Sequence, residues 1–504
     1  MGALGIITVS IILISLYKFI PRLIKFIKFT ILINKIPGPA FYPIPYVALA
    51  GANKPEDIAL WLQNQYGKFK EGIMQLAIVL DAYIFISKPQ HIEAVLNKTE
   101  TLSKATLYHN YQFWLGDGLL TSSDEKALQK KKLLMSAFQF GVLDQFIEIM
   151  SEKAEILVQC IENDIQKNAG EAIDFYKYSV RCALDIICET SMGTNIDVQR
   201  NKDIEYFKAL NVLLYSFIKR LLYPWLHWDW IFYRSKMGKN FKKSLEVTNT
   251  FIIEIIKKRR ELRKMKNREM KRDEFGNRQK RTFLDLLMDL DENETFKMGD
   301  EGIKQQVDKV VFAGHDTVAA AVNWAIFNIG NNPDVQLKIH EELDAVFGNS
   351  NDLITLQKIS QLSYLDRVIK ENLRLCPSIP LIGRHVTEDI ELDGYTIPKG
   401  ANLGLCIFFL HRDPELWPNP MKFNPDRFLP ENCRKRHPYA YIPFSGGPGN
   451  CIGIKFAMAE QKIILTKILR KWRVKSVKSM EEMKYQPNVI LHPYEENRIY
   501  FFPR

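Results

Sequence analysis

The stretch Phe444-Ser445-Gly446-Gly447-Pro448-Gly449-Asn450-Cys451-Ile452-Gly453 decides how the rest of this 504-residue chain is read. Four glycines and a proline surround one cysteine, so the backbone can take φ values that side chains forbid and can lie close against a flat ligand. Directly afterwards the period changes. Ile454, Ala457, Met458 and the run Ile463 to Leu465 place an apolar stripe on a helix whose N-terminus faces the sulfur. That N-terminus and the free N–H groups of the loop both stabilise a thiolate. A thiolate held in this way suits haem iron, toward which it pushes electron density and so favours O–O cleavage. A phosphate cradle or a plain turn competes as a reading, as does a small buried cysteine. The glycine spacing does not match G-x-G-x-x-G, and no Lys-Ser/Thr pair is present as in a P-loop.

Upstream, Gly302 to Asn331 reads as a helix, nearly apolar at its centre, that must be buried and cross the whole domain. It contains Ala313-Gly314-His315-Asp316-Thr317. Gly and Thr cost helix propensity there, and Asp316 is an acid in an apolar run. A hydroxyl that bonds back to its own backbone bends a helix, and Gly314 then leaves a notch for a diatomic ligand. Thr317 and Asp316 are the candidate catalytic residues, delivering the protons that O–O heterolysis consumes. The plain alternative is a kink with Asp316 in a salt bridge. Glu371 and Arg374 lie three apart on one helix face, with Arg427 in Asn424-Pro425-Asp426-Arg427-Phe428 as a third member. If buried, this group is structural and pins the loop before Cys451. If exposed, the pair contributes only ~0.2–0.5 kcal/mol.

These four segments, in this order, resemble those of the cytochrome P-450 family of haem-thiolate monooxygenases, and the resemblance extends over residues 36–504. It implies a mainly α (α+β) fold: one large helical domain with small segregated β-sheets. It implies haem b bound through iron to Cys451, O2 as co-substrate, and a hydrophobic small molecule as substrate. Two electrons per turnover come from NADPH through a separate flavoprotein reductase, or through cytochrome b5, since no flavin or nicotinamide fingerprint is present. Leu184 to Gly193, Thr282 to Leu287 and Phe312 to Thr317 are similar to family 4, whose members include fatty-acid ω-hydroxylases. The resemblance makes Phe444, Arg384 and Lys131 haem contacts, the last two at the propionates.

Departures from the family pattern matter as much. The family usually has Arg two residues before the cysteine, where Gly449 stands, and Trp and Arg where Ala127 and Lys131 stand. Lysine supplies a charge without a two-pronged contact. Each missing charged hydrogen bond forfeits ~1.5–3 kcal/mol, so haem is expected to be held less tightly than in the family at large. Ala313 replaces a Glu that in family 4 often esterifies the haem, which excludes covalent attachment by that route. A degenerate haem binder and a reductase-independent isomerase compete with the oxygenase reading; the intact Asp316–Thr317 pair favours the oxygenase.

Gly2 to Tyr17 is uncharged and rich in Ile and Leu, and with Lys18 reaching the interface it is long enough to span a bilayer. Lys18, Arg22, Lys25 and Lys28 come after the apolar run, the reverse of a cleaved signal peptide, and keep the large C-terminal part in the cytosol. Residues 1–35 therefore read as a single anchor in the endoplasmic reticulum membrane and 36–504 as the catalytic domain. Pro37-Gly38-Pro39 ends the helix.

The net charge of +11 concentrates between Lys257 and Arg281, where 13 basic residues face 4 acidic ones. With only Phe275 among them, this is a solvated, mobile connector after a helix ending near Arg260, with no nucleic-acid partner. Seven cysteines without paired spacing argue against a disulfide framework. Leu107, Tyr111, Phe113, Trp114, Leu115, Phe312 and Ala313 are expected to face substrate. Tyr223, Trp225, Trp228, Trp230 and Phe232 suit either a membrane-dipping access channel or core packing. Arg434, Lys435, Arg436 and Lys455 suit an acidic reductase.

Overall fold

The computed structural model describes residues 3–41, 46–47, 72–79, 81–116, 140–168, 170–201, 205–270, 282–292, 298–348, 354–486 and 489–504. Residues 55–67, whose periodicity is helical, and Ala127 and Lys131 lie outside these residues. The described part is mainly helical with small separate sheets. Its axis is the helix Gly299–Asn331, in which every residue from Val318 to Ile329 is buried. This helix is apolar and long enough to cross a membrane, yet its apolar window is mostly inside the protein. An apolar surface on all sides needs neighbours on all sides. Helices Tyr176–Thr190, Lys236–Met270, Ser363–Leu375 and Ile454–Lys471 supply them, with strand Trp472–Ser476. Polar side chains inside it are bonded across to these neighbours: Trp324 Nε1 donates to Leu491 O at 2.8 Å, and Asn328 Nδ2 to Asn372 Oδ1 at 2.9 Å.

The largest sheet has five strands in the spatial order Tyr46–Val47, Ile73–Val79, Asp81–Ile86, Asn402–Leu405, Ile382–His385. Asp81–Ile86 and Asn402–Leu405 run parallel with Tyr83 opposite Asn402; the other pairs are antiparallel. Arg384 stands opposite Leu403, on the strand beyond Asn402–Leu405. A second sheet joins Ile173–Asp174, Arg498–Pro503 and Trp472–Ser476, and so ties the C-terminus to the end of the helix that starts beyond Cys451.

One helix, Ala3–Ile33, runs without interruption through Pro21 and the basic flank. Its last turns are part of the folded body. Phe29 and the buried Ile33, Ile36 and Phe41 pack on the five-stranded sheet, and the Asn34 side chain both donates to Phe41 O and accepts from Phe41 N.

The basic run departs from expectation. Helix Lys236–Met270 continues through Lys257–Arg268, so there is no connector at Arg260. Arg259 grips Asp285 with two nitrogens and donates to Gly193 O at 3.2 Å, and Arg263 donates to Asp289 at 2.6 Å. Burial alone would raise the Asp285 carboxyl, but its hydrogen bonds from Arg259 and Thr282 hold it below the usual range. Part of this charge therefore fastens helix Phe283–Glu292 to its neighbour, which a charge count cannot distinguish from a solvated surface. Residues 271–281 are outside the described part.

Candidate active site

Backbone hydrogen bonds draw the cysteine loop tight: Cys451 N donates to Phe444 O at 3.0 Å and Asn450 N to Gly447 O at 3.2 Å. Gly447 has φ +63°, and a Cβ there would stand 2.7 Å from Leu96 O, so both conformation and space demand glycine. Gly453, immediately before helix Ile454–Lys471, donates its N–H to Cys451 Sγ at 3.3 Å. That bond and the helix N-terminus favour the thiolate. No disulfide joins any of the seven cysteines, all of them among the described residues; Cys433 and Cys451 are the exposed ones. Phe444 is half-buried and packs against the main core.

Beneath the loop, Glu371 and Arg374 are both fully buried. The guanidinium donates to the carboxylate through Nε at 2.7 Å and Nη2 at 2.8 Å, and reaches His411 O and Pro420 O at 2.7 and 2.8 Å. Glu371 also accepts from Asn424 N at 2.8 Å, and Arg427 Nε lies 3.4 Å from it. A buried pair with this many partners holds its surroundings in place, since removal of any one group strands a charge. His411, which carries no signal in the sequence, completes the link. Burial, aided by the nearby Arg374 charge, pushes its imidazole down to about 3, so the ring is neutral and its Nε2 accepts from Ile442 N at 2.9 Å. A lone histidine in an apolar context looks like any satisfied core residue.

On the axial helix, Thr317 Oγ1 donates to Ala313 O at 2.7 Å, the anticipated return to the backbone. Ala313, Gly314 and Thr317 form an accessible stripe in a stretch that is otherwise buried from Val311 to Ile329. Gly314 differs from expectation: a Cβ there would come within 2.6 Å of Ile187 Cδ1, so the missing side chain admits helix Tyr176–Thr190 rather than a diatomic ligand. Phe312 meets Trp114 at 4.8 Å between ring centroids and Tyr111 stacks on Phe217 at 3.9 Å, bringing together several side chains expected to face substrate. Asp316 faces away from the stripe. Tyr176 Oη donates to its Oδ1 at 2.7 Å, and His492 Nε2 lies 3.7 Å away. Burial would raise this carboxyl, but the nearby His492 and the hydrogen bonds outweigh it and keep the group below the usual carboxylate range.

Arg384 is 4% exposed and donates to Gly383 O at 3.3 Å, with no carboxylate partner among the described residues. Burial lowers its affinity for its proton, the sign of a guanidinium in want of an anion. Its Nη2 would lie 2.9 Å from a Cβ at Gly449, so the arginine borders the place that residue leaves open. An accessible thiol supported by N–H groups and a buried guanidinium lacking an anion together fit a haem with its acidic propionates. Of the basic residues expected to meet a reductase, Arg434, Lys435 and Lys455 are exposed. Arg436 is not available: its guanidinium lies 3.9 Å over the Trp417 ring and donates to Arg427 O at 2.7 Å.

The chain matches known proteins over most of its length. The family profile described as Cytochrome P450 matches residues 36–501. Mouse cytochrome P450 4V2 is 38% identical over 96% of this chain and 92% of its own length. Cytochrome P450 4c21 of Blattella germanica is 40% identical over 92% of each chain, and cytochrome P450 4c3 of Drosophila melanogaster 34% identical over 99% of this chain and 93% of its own.

Proposed function

Because the chain belongs to the cytochrome P450 family and is a haem-thiolate monooxygenase, we propose that it inserts one oxygen atom of O2 into a hydrophobic substrate of lipid or fatty-acid type, with electrons from an NADPH-dependent reductase. Haem, when bound, supplies the O2-activating chemistry. Cys451 would ligate the haem iron, and the Gly453 N–H would hold the thiolate's charge in place. Arg384 would bind a propionate, with Lys131 as a second cation and Phe444 as a contact in the cysteine loop. Glu371, Arg374 and Arg427 keep the loop in register. Thr317 positions and Asp316 supplies protons, Ala313 keeps the pocket apolar, and Trp114 and Phe312 wall it. The lipid assignment rests on the resemblance to family 4, whose number the names of the matched relatives carry.

Residues 1–35 form the membrane anchor in this proposal, with residues 36–504 facing the cytosol from the endoplasmic reticulum. A continuous helix of 31 residues supports it; at 1.5 Å per residue such a helix is about 46 Å long, more than the roughly 30 Å of a hydrocarbon core. Arg434, Lys435 and Lys455 form the reductase-facing surface.

The single observation that carries the proposal is Cys451, an exposed cysteine whose sulfur accepts the Gly453 N–H at a helix start. Cys451→Ala should abolish the red-shifted Soret band of the reduced carbon monoxide complex while leaving far-UV circular dichroism unchanged. Retention of that band would remove the ligand assignment. Substrate-dependent NADPH consumption with added reductase separates an oxygenase from an isomerase.

A further inference from the structure

Asp316 is 2% exposed and faces away from the accessible stripe of its own helix. Its neighbour His315 is fully buried, with Nδ1 on Val311 O at 2.6 Å and its ring beside Tyr206 and Phe207. The contacts of Asp316 lead the other way, to Tyr176 at the start of helix Tyr176–Thr190 and to His492 near the C-terminus. The Tyr176 and His492 rings meet edge to face at 5.0 Å. Both line a surface cavity of about 800 Å³, also bounded by Asp174, Lys236, Glu495 and Glu496. Burial raises the Asp174 carboxyl despite Lys177 beside it, so a proton is easier to hold at this wall.

We propose that this cavity is the proton inlet of the enzyme, with His492 as the relay and Tyr176 as the residue that positions Asp316. The inference rests on the Asp316–Thr317 assignment under Proposed function. Protonated His492 gives its Nε2 proton to Asp316 Oδ1, and the neutral ring regains one from cavity water. Nδ1 of His492 is buried with no hydrogen-bond partner among the described residues and keeps its proton throughout, so Nε2 both gives and regains the proton that moves. Tyr176 keeps its own proton, and its hydrogen bond holds Oδ1 toward the ring. One proton moves inward per passage and no electrons move. The titratable groups facing Asp316 are His492, Tyr176, His315 and, farther off, Tyr206.

Two measurements on the full-length, haem-loaded protein test this. In protein carrying ¹³C-labelled histidine, the His492 signal is identified by its loss in His492→Gln. Asp316→Asn should displace that signal, as expected when an opposite charge beside the ring is removed. An unmoved signal overturns the coupling. With reductase and NADPH and no added organic substrate, His492→Gln and Tyr176→Phe should raise the share of electrons released as hydrogen peroxide and alter the solvent deuterium isotope effect. The proton-dependent step should slow roughly tenfold, less than for loss of a direct general acid because water can stand in. If these variants behave as wild type while Asp316→Asn and Thr317→Ala release peroxide, the inlet is wrong and the pair stands. If all four behave as wild type, the pair fails and the inlet with it.

Discussion

At the scale of single residues, the chain replaces a usual arginine by Gly449 and leaves Arg384 beside it, buried and without an anion among the described residues. Arg384→Ala should therefore speed haem loss to a scavenger protein by roughly ten- to a hundredfold, the range for a charge-assisted hydrogen bond of about 1.5–3 kcal/mol. Gly449→Arg should recover part of that loss in the Arg384→Ala background; no recovery would mean that position 449 does not reach the propionates. Cys451, Glu371 and Arg374 were legible in the sequence because their spacing is itself the signal. His411, Tyr176 and His492 were not. Each sits alone in its segment, and its partner is remote: Ile442 for His411, and Asp316, 140 and 176 positions away, for the other two. The use of Gly314 was misread for a related reason, since whether an absent Cβ faces a ligand or a neighbouring helix depends on which helix comes near.

Among the elements, helix Ile454–Lys471 carries Glu460, fully buried with neither oxygen hydrogen-bonded among the described residues. Burial raises its carboxyl well above the ordinary range, so the folded protein keeps a proton that the unfolded chain, near pH 4.3, has lost. The folded state binds more protons, and stability falls as pH rises, by up to ~1.4 kcal/mol per unit until the folded group ionises. His411, pushed down to about 3, has the opposite sign, but its loss falls below about pH 6.5, the unfolded histidine value. Between pH 6.5 and 8 the urea midpoint of Glu460→Gln should thus decline less than that of the parent; parallel declines would show that Glu460 is ionised in the fold. The N-terminal helix allows a second check. Deleting residues 1–17 should leave a folded domain, whereas deletion through residue 35 removes Phe29 and Ile33 from the sheet they cover and should give aggregated protein. Equal solubility of the two would contradict that packing.

For the molecule as a whole, Trp225, Trp228 and Trp230 are 53, 51 and 64% exposed, while Phe232 in the same run is buried. Core packing accounts for Phe232 but not for the outward tryptophans, which suit a lipid interface. In protein lacking residues 1–17, changing all three to Ser should weaken partitioning into phospholipid vesicles at least roughly tenfold, since even 60 Å² of apolar surface transferred contributes ~1.5 kcal/mol. Unchanged partitioning would leave membrane contact to the N-terminal helix alone. Alone, the amino-acid order determined the helical class, the axial helix, the cysteine loop and the spacing of Glu371 and Arg374, because periodicity, glycine content and short spacing are local properties. Which face Asp316 turns to, what Arg384 borders, that part of a basic run is structural and that the partners of a buried acid line a surface cavity were decided by tertiary structure. Those properties come from packing between segments far apart in the chain, and the free energy of such contacts depends on distances that no local pattern encodes.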